Sequence, residues 1–189
     1  MNIYNEELAG LYSEPGVIRT FTGKYINVFD PQPHDICLED IAHALSNLCR
    51  FGGHTRQFYS VAEHSIRTAK FVEPPYRLAA LLHDASEAYL LDIPTPVKIM
   101  FPEYHKAEYR MMEVIAEKFG FEYPLSDEVR MADKLMLQLE WLEFMTGSQD
   151  YDPRTSAEVR IDFISAFDSI CIANKKRKTV KRDLYNANI

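Results

Sequence analysis

The pair His83-Asp84, with Glu87 three residues beyond it, carries the densest chemistry in this chain. It lies in LLHDASEAY, a segment otherwise apolar and helical in pattern. A bare imidazole or carboxylate is costly to bury, so their presence in such a run calls for a partner. Read as one helix, the segment sets His83, Asp84 and Glu87 along one flank, because positions three and four apart face the same way. A nitrogen donor, an oxygen donor and a second carboxylate one turn away suit a divalent metal and a water that it activates.

Two other helical stretches place polar residues where their neighbours predict core. His64 sits in FYSVAEHSIRTA, one turn after Val61, and Asp133 sits in VRMADKLMLQLEW, between Ala132 and Leu135. If the three helices pack together, two histidines and two aspartates converge. That set suits one borderline divalent ion with positions left open for water and substrate. Taken singly, each residue reads blandly. A lone His on a half-apolar face is usually a hydrogen-bonded core residue, and an Asp beside Lys134 is usually ion-paired. The ordered set is what carries the argument.

The elements that must position these residues are mostly helices. Apolar positions 38, 41, 42, 45, 48 and 49 predict a helix over 38–50, ended by Gly52-Gly53. Ser60 to Glu63 has the form of a capping box for a helix over 60–72, with Thr55 as an earlier possible start. Pro75 is placed to open a helix over 75–90, and Asp92 to Pro96 then forms a stiff loop. Further helices are expected at 103–119, closed by Gly120, at 126–146, capped by Ser126, and at 155–173, with Thr155 to Glu158 as a second capping box. The one strand signal is the alternation in 23–30, stopped by Pro31 and Pro33. The expected fold is all-α: six or seven helices in a single domain with a short N-terminal extended segment.

Bulk properties fit this picture. A chain of 189 residues with 47% hydrophobic and 26% charged residues suits one soluble domain with a substantial core. No apolar run reaches membrane-span length, and the acidic N-terminus is unlike a signal peptide. Cys37, Cys49 and Cys171 are scattered and form no CxxC pair, as expected of reduced, mostly buried thiols in a cytoplasmic protein. The net charge of -7 hides a basic C-terminal tail, 174–189, containing Lys175, Lys176, Arg177, Lys178, Lys181 and Arg182. The body before it is therefore more acidic still, which argues against a broad nucleic-acid-binding face. The tail itself could touch a nucleic acid or an acidic partner, but reads better as a solvated helix end or a frayed terminus.

The local words are more specific than the spacing. The order His64, His83-Asp84, Asp133 resembles that of the HD-domain metal phosphohydrolases, and VAEHS around His64, LLHDASEA around His83-Asp84 and DIPTPVK from Asp92 to Lys98 look like the words of one branch. Over about residues 40–145 the chain resembles the branch of 5'-deoxynucleotidases and their phage and bacterial deoxynucleoside triphosphate hydrolase relatives. The leading GKYINVFDPQPHDICLEDIAHALSNLCRF also looks like the opening segment of phage and bacterial members.

That resemblance implies a single HD-domain helical bundle in which His64, His83, Asp84 and Asp133 hold one divalent metal. The metal would be Mn, Co, Mg, Zn or Fe, joined by a second ion if the substrate is a triphosphate. Glu87 would orient or deprotonate the attacking water. Asp92 with Ile93, Pro94 and Thr95 would meet the sugar and the leaving oxygen. Lys98 would reach a phosphate, and Arg130 matches a position that is cationic in relatives. An Arg followed by an aromatic precedes the first metal His in the family, which points to Arg50 and Phe51 as the phosphate grip, with Arg56 as the alternative. His54, in the Gly-Gly turn, reads as an exposed loop histidine. The implied partners are a small nucleotide and further copies of the chain, as a homodimer or larger homo-oligomer. The implied reaction is hydrolysis of a (2'-deoxy)nucleoside 5'-phosphate. Action on deoxynucleoside triphosphates is the alternative, and a non-catalytic nucleotide-binding module is a second one.

Overall fold

A computed structural model describes residues 14–147 and 151–187. Its first element is a small antiparallel hairpin, β1 (Val17–Arg19) and β2 (Tyr25–Asn27), with Ile18 opposite Ile26. Helices follow: α1 (Leu38–Asn47), α2 (Val61–Lys70), α3 (Arg77–Leu81), α4 (Glu87–Leu90), α5 (Thr95–Lys98), α6 (Pro102–Phe119), α7 (Asp127–Glu140) and α8 (Ser156–Ala187). The architecture is mostly helical, as the helical periodicity predicts, with a two-stranded sheet where one extended segment is expected.

The capping residues start and stop helices where the sequence places them. At α2, Ser60 Oγ accepts from the Glu63 amide at 3.2 Å, and the Glu63 carboxylate accepts from the Ser60 amide at 3.0 Å. Both members of this capping box are buried, so their reciprocal bonds satisfy groups that water cannot reach. Thr155 and Glu158 repeat the arrangement before α8, and Ser126 caps α7. Gly120 ends α6 with φ +75, a left-handed conformation that costs glycine nothing.

Several boundaries differ from expectation. The strand shrinks to Tyr25–Asn27 and gains a partner, Val17–Arg19, which is too short to show alternation. α1 stops at Asn47 because Leu48 is extended, and Cys49 then bridges to Ser60. The stretch 75–90 is not one helix: a 3-10 turn, Pro74–Tyr76, leads into α3, and residues 82–86 separate α3 from α4. The loop after Asp92 contains the helical turn α5, which Pro94 precedes. The expected 126–146 helix is α-helical only to Glu140 and continues as a π-helical turn, Trp141–Thr146. α8 runs on to Ala187, so most of the basic tail is helical backbone. With 75–90 divided and α5 added, the described residues hold eight α-helices rather than six or seven.

One contiguous buried cluster joins the hairpin to the helices. It includes Ile26, Ile41, Leu45, Val61, Leu81, Leu82, Met111, Ile115, Val129 and Phe163. Each such side chain contributes about 1.5–3 kcal/mol by leaving water. Asp40 fastens the hairpin to α1 by accepting from the Thr22 amide at 2.7 Å and from the Thr22 hydroxyl at 2.9 Å. Within the cluster, α2 is central and packs against α1, α3, α7 and α8. Cys37, Cys49 and Cys171 are free thiols, half-buried rather than fully buried. Among the described residues, no helix is long and apolar enough to cross a membrane.

Candidate metal centre

The central position of α2 puts His64 at the middle of the molecule, with no solvent exposure. α3 leads toward His83 and Asp84, but these two lie in the turn after it rather than on one long helix with Glu87. There the backbone tightens: the amides of Ala85 and Glu87 bond to the carbonyls of Leu82 and Asp84, three residues back. In that tighter winding residues three apart eclipse, so Asp84 and Glu87 still share a side. α7 packs against both α2 and α3 and supplies Asp133.

The four expected ligands converge. The Nε2 atoms of His64 and His83 are 3.1 Å apart. Asp133 Oδ1 lies 3.2 Å from the first and 3.6 Å from the second. Asp84 Oδ2 lies 3.2 Å from His83 Nε2 and 3.5 Å from His64 Nε2. One donor atom each from His64, His83 and Asp133 falls within 4.8 Å of the others.

The other ring nitrogens set the tautomers. His83 Nδ1 is 2.8 Å from the Ala80 carbonyl, which can only accept, so this nitrogen carries the hydrogen. His64 Nδ1 lies 2.9 Å from Glu140 Oε1, another acceptor. Both Nε2 lone pairs therefore point at one another and at two carboxylates. Two imidazole nitrogens facing two carboxylates form a donor set that fits a borderline divalent cation. Burial opposes a charge on His83, but Asp84 and Asp133 raise its proton affinity well above the usual histidine range. Burial likewise works against ionised Asp84 and Asp133, but the two histidines hold both carboxyls far below the usual range.

Arg50 faces the same cluster. Its Nη1 lies 3.6 Å from Asp84 Oδ2 and 4.0 Å from Asp92 Oδ2, and its Nη2 lies 3.5 Å from Glu140 Oε2. Arg50 is buried while Arg56 is exposed, so Arg50 is the cation at the site. It is aimed by a turn in which Phe51 (φ 56) and Gly52 (φ 63) are both left-handed. Phe51 meets Trp141 edge-on at 5.9 Å. A Cβ on Gly52 would sit 3.5 Å from Pro94, so this turn abuts the DIPTP loop.

Glu87 and Asp92 form the acidic wall. Glu87 is buried, with Oε1 3.5 Å from Lys98 Nζ and Oε2 without a hydrogen-bond partner. Burial, then the charges of Asp84 and Asp92, raise its proton affinity well above the carboxylate norm, against the pull of Lys98 and Arg50. Asp92 is also raised, chiefly by burial, and its Oδ2 also lacks a hydrogen-bond partner. Before it stands Leu91 with φ 72 and ψ 155, a region nearly confined to glycine. The strained backbone is held by the Tyr104 hydroxyl, which donates to the Leu91 carbonyl at 2.6 Å. Two non-glycine residues with positive φ thus stand next to Arg50 and Asp92, the pair that faces across the site.

The remaining expected residues divide. Ile93 is half-buried, and Pro94 and Thr95 are exposed beside the site. Lys98 binds Glu108 at 2.6 Å as well as approaching Glu87. Arg130 does not join the cluster: it pairs with Asp127 at 2.5 Å and donates to the Leu125 carbonyl, folding back on the first turn of its own helix. His54 is exposed in its turn. Sequence reasoning missed Glu140 and Tyr59, which meet at 2.7 Å behind His64. The available signal was an acid two helical turns after Asp133, in the run LMLQLEW.

No established family profile matches the chain. It is 43% identical over 123 residues to "Uncharacterized protein YfdR" of Escherichia coli K12, covering 65% of this chain and 69% of the relative. It is 36% identical over 136 residues to "Uncharacterized protein RCAP_rcc00048" of Rhodobacter capsulatus, again covering 65% and 69%.

Proposed function

The chain belongs to the family of the Escherichia coli protein YfdR, and we propose that it is a metal-dependent phosphohydrolase of (2'-deoxy)nucleoside 5'-phosphates. The observation that carries this reading is the convergence of two imidazole Nε2 atoms, 3.1 Å apart, with Asp84 and Asp133 beside a buried guanidinium. His64, His83, Asp84 and Asp133 would hold one divalent cation of the Mn, Co, Fe, Zn or Mg class. Such a cation lowers the pKa of its water and polarises a phosphoryl oxygen.

The chain's own residues supply the rest. Arg50 presents a planar fork suited to two phosphate oxygens. Substrate oxygens would replace the carboxylates that it now faces at 3.5–4.0 Å. Glu87, whose proton affinity burial and the charges of Asp84 and Asp92 raise, would accept the proton of the attacking water. The water oxygen would form a bond to phosphorus as the bond from phosphorus to the ester oxygen breaks, and that oxygen, on the Asp92 side, would leave as a hydroxyl with a proton taken from solvent. Glu87 Oε2 and Asp92 Oδ2, both buried and without hydrogen bonds although Asp92 Oδ2 lies 4.0 Å from Arg50, suit this assignment, because buried polar atoms are normally hydrogen-bonded. Pro94 and Thr95 border the position expected for the sugar.

Of the three cations expected to meet phosphate, Arg50 faces the cluster directly, Lys98 is paired with Glu108, and Arg130 lies on its own helix. With Arg130 turned away, Arg50 and the Lys98 that lies 3.5 Å from Glu87 suit a monophosphate better than a triphosphate chain, which favours the 5'-deoxynucleotidase reading. The test is product release from a panel of dNMPs, dNTPs and NTPs with Mn, Co, Mg or Zn, run beside Asp84→Ala. Nucleoside and phosphate from dNMPs, lost in the variant, is the expected outcome. Turnover of dNTPs with release of triphosphate would move the assignment to a triphosphate hydrolase. No turnover with any metal would overturn the hydrolase reading.

A further inference from the structure

We propose that Glu140 is the positioning residue of the metal centre: its carboxylate fixes the His64 ring with Nε2 turned toward the cation and ties that ligand to Arg50. The proposal rests on the metal reading above and assigns a role to a residue outside the four expected ligands.

Glu140 is wholly buried. It follows Asp133 by seven positions on α7, which returns it to within about 20° of the same face two turns on. A buried carboxylate is destabilising unless its oxygens are fully engaged. Here Oε1 accepts from the Tyr59 hydroxyl at 2.7 Å and from His64 Nδ1 at 2.9 Å. Oε2 lies 3.1 Å from His64 Nδ1 and 3.5 Å from Arg50 Nη2. Every partner is therefore either a site residue or Tyr59, which holds the carboxylate from behind.

The two histidines are supported unequally. His83 Nδ1 meets a neutral carbonyl, while His64 Nδ1 meets a carboxylate. An anionic partner makes an imidazole a stronger donor as well as a fixed one, and loss of such a partner typically lowers metal affinity 10–100-fold. The helix is locked around this contact. Immediately after Glu140 the α-helix gives way to the π-helical turn, and Arg67 of α2 clips that turn by binding Glu143 at 2.8 Å. Arg67 also donates to the Tyr59 hydroxyl at 3.4 Å, so the residue behind Glu140 is itself held.

The experiment measures Mn(II) affinity by calorimetry on chelator-stripped wild type, Glu140→Gln and Tyr59→Phe, together with the Co(II) absorption spectrum and the melting curve of each metal-free protein. Glu140→Gln should weaken Mn(II) about 10–100-fold and alter the Co(II) band while its metal-free melting stays cooperative. Tyr59→Phe keeps the carboxylate and removes one of its donors, so its loss should be smaller, about threefold. A purely structural role would lower melting and leave affinity and spectrum at wild-type values, which would overturn the proposal. If Glu140→Gln does not fold, Tyr59→Phe decides, and an unchanged affinity and spectrum there would equally overturn it. Failure of wild type itself to bind Mn(II) or Co(II) would remove the metal reading, and this proposal with it.

Discussion

Replacing Glu87 by glutamine should stabilise the metal-free protein near neutral pH while removing turnover. The side chain is 5% exposed, one carboxylate oxygen has no hydrogen-bond partner, and Asp84 and Asp92 stand close enough to raise its proton affinity. The folded-state pKa lies above the unfolded value of 4.5, so the charged form is penalised by folding. Stability from this group is full below the unfolded pKa and declines as pH rises through the folded pKa. Each pH unit between the two is worth about 1.4 kcal/mol. Glutamine has nearly the same shape, leaves no cavity and does not titrate, and its amide hydrogens can face the neighbouring carboxylates. Against the full penalty stand Lys98 at 3.5 Å and the cost of imperfect amide hydrogen bonding. A buried carboxylate oxygen without a hydrogen-bond partner costs about 1–3 kcal/mol, so the variant should gain about 1 kcal/mol near pH 7.5, or about 2–4 °C in melting temperature for a chain of this size. Near pH 4.5 it should vanish. Urea unfolding of stripped wild type and Glu87→Gln at the two pH values measures this directly, with turnover expected to fall at least about 100-fold. A variant less stable than wild type near pH 7.5, or a stability difference equal at both pH values, would refute the electrostatic reasoning.

Other perturbations have equally definite outcomes. Leu91→Gly should raise stability by about 1 kcal/mol in thermal unfolding, because relief of the φ 72 strain outweighs the added freedom of the unfolded chain and the lost side chain is 60% exposed. Ser60→Ala should lower stability by about 1–2 kcal/mol in urea titration, since the cap is fully buried and its bond to the Glu63 amide has no solvent substitute. Arg50→Lys should raise KM for a nucleoside monophosphate about tenfold or more in steady-state kinetics, because an ammonium cannot reproduce the fork.

The centre was largely legible because its words are local. VAEHS, HD and the helical Asp133 name residues that do meet within hydrogen-bonding range, and capping boxes at Ser60 and Thr155 mark true helix starts. What the pattern concealed depends on backbone detail or long-range packing. The tightened winding at 82–86 looks identical to a continuous helix in a hydrophobic profile, so 75–90 reads as one element. The left-handed turn at Phe51-Gly52 selects Arg50 over Arg56, and no periodicity records it. Glu140 meets His64 only once α7 lies on α2, a contact across 76 positions of sequence. Arg130 shows the converse failure. Family position suggested a cation at the site, but Asp127 and the Leu125 carbonyl, both within five residues, win the guanidinium locally.

The central claim is that four side chains hold one catalytic cation. Its most direct test strips the protein with chelator and follows phosphate release from a dNMP as Mn(II) is titrated back, with bound metal counted in parallel. The stripped protein should show no turnover and should recover in proportion to one equivalent of bound metal, with neither binding nor recovery in Asp133→Ala. Turnover that persists without metal, or a wild-type protein that takes up none, would contradict it.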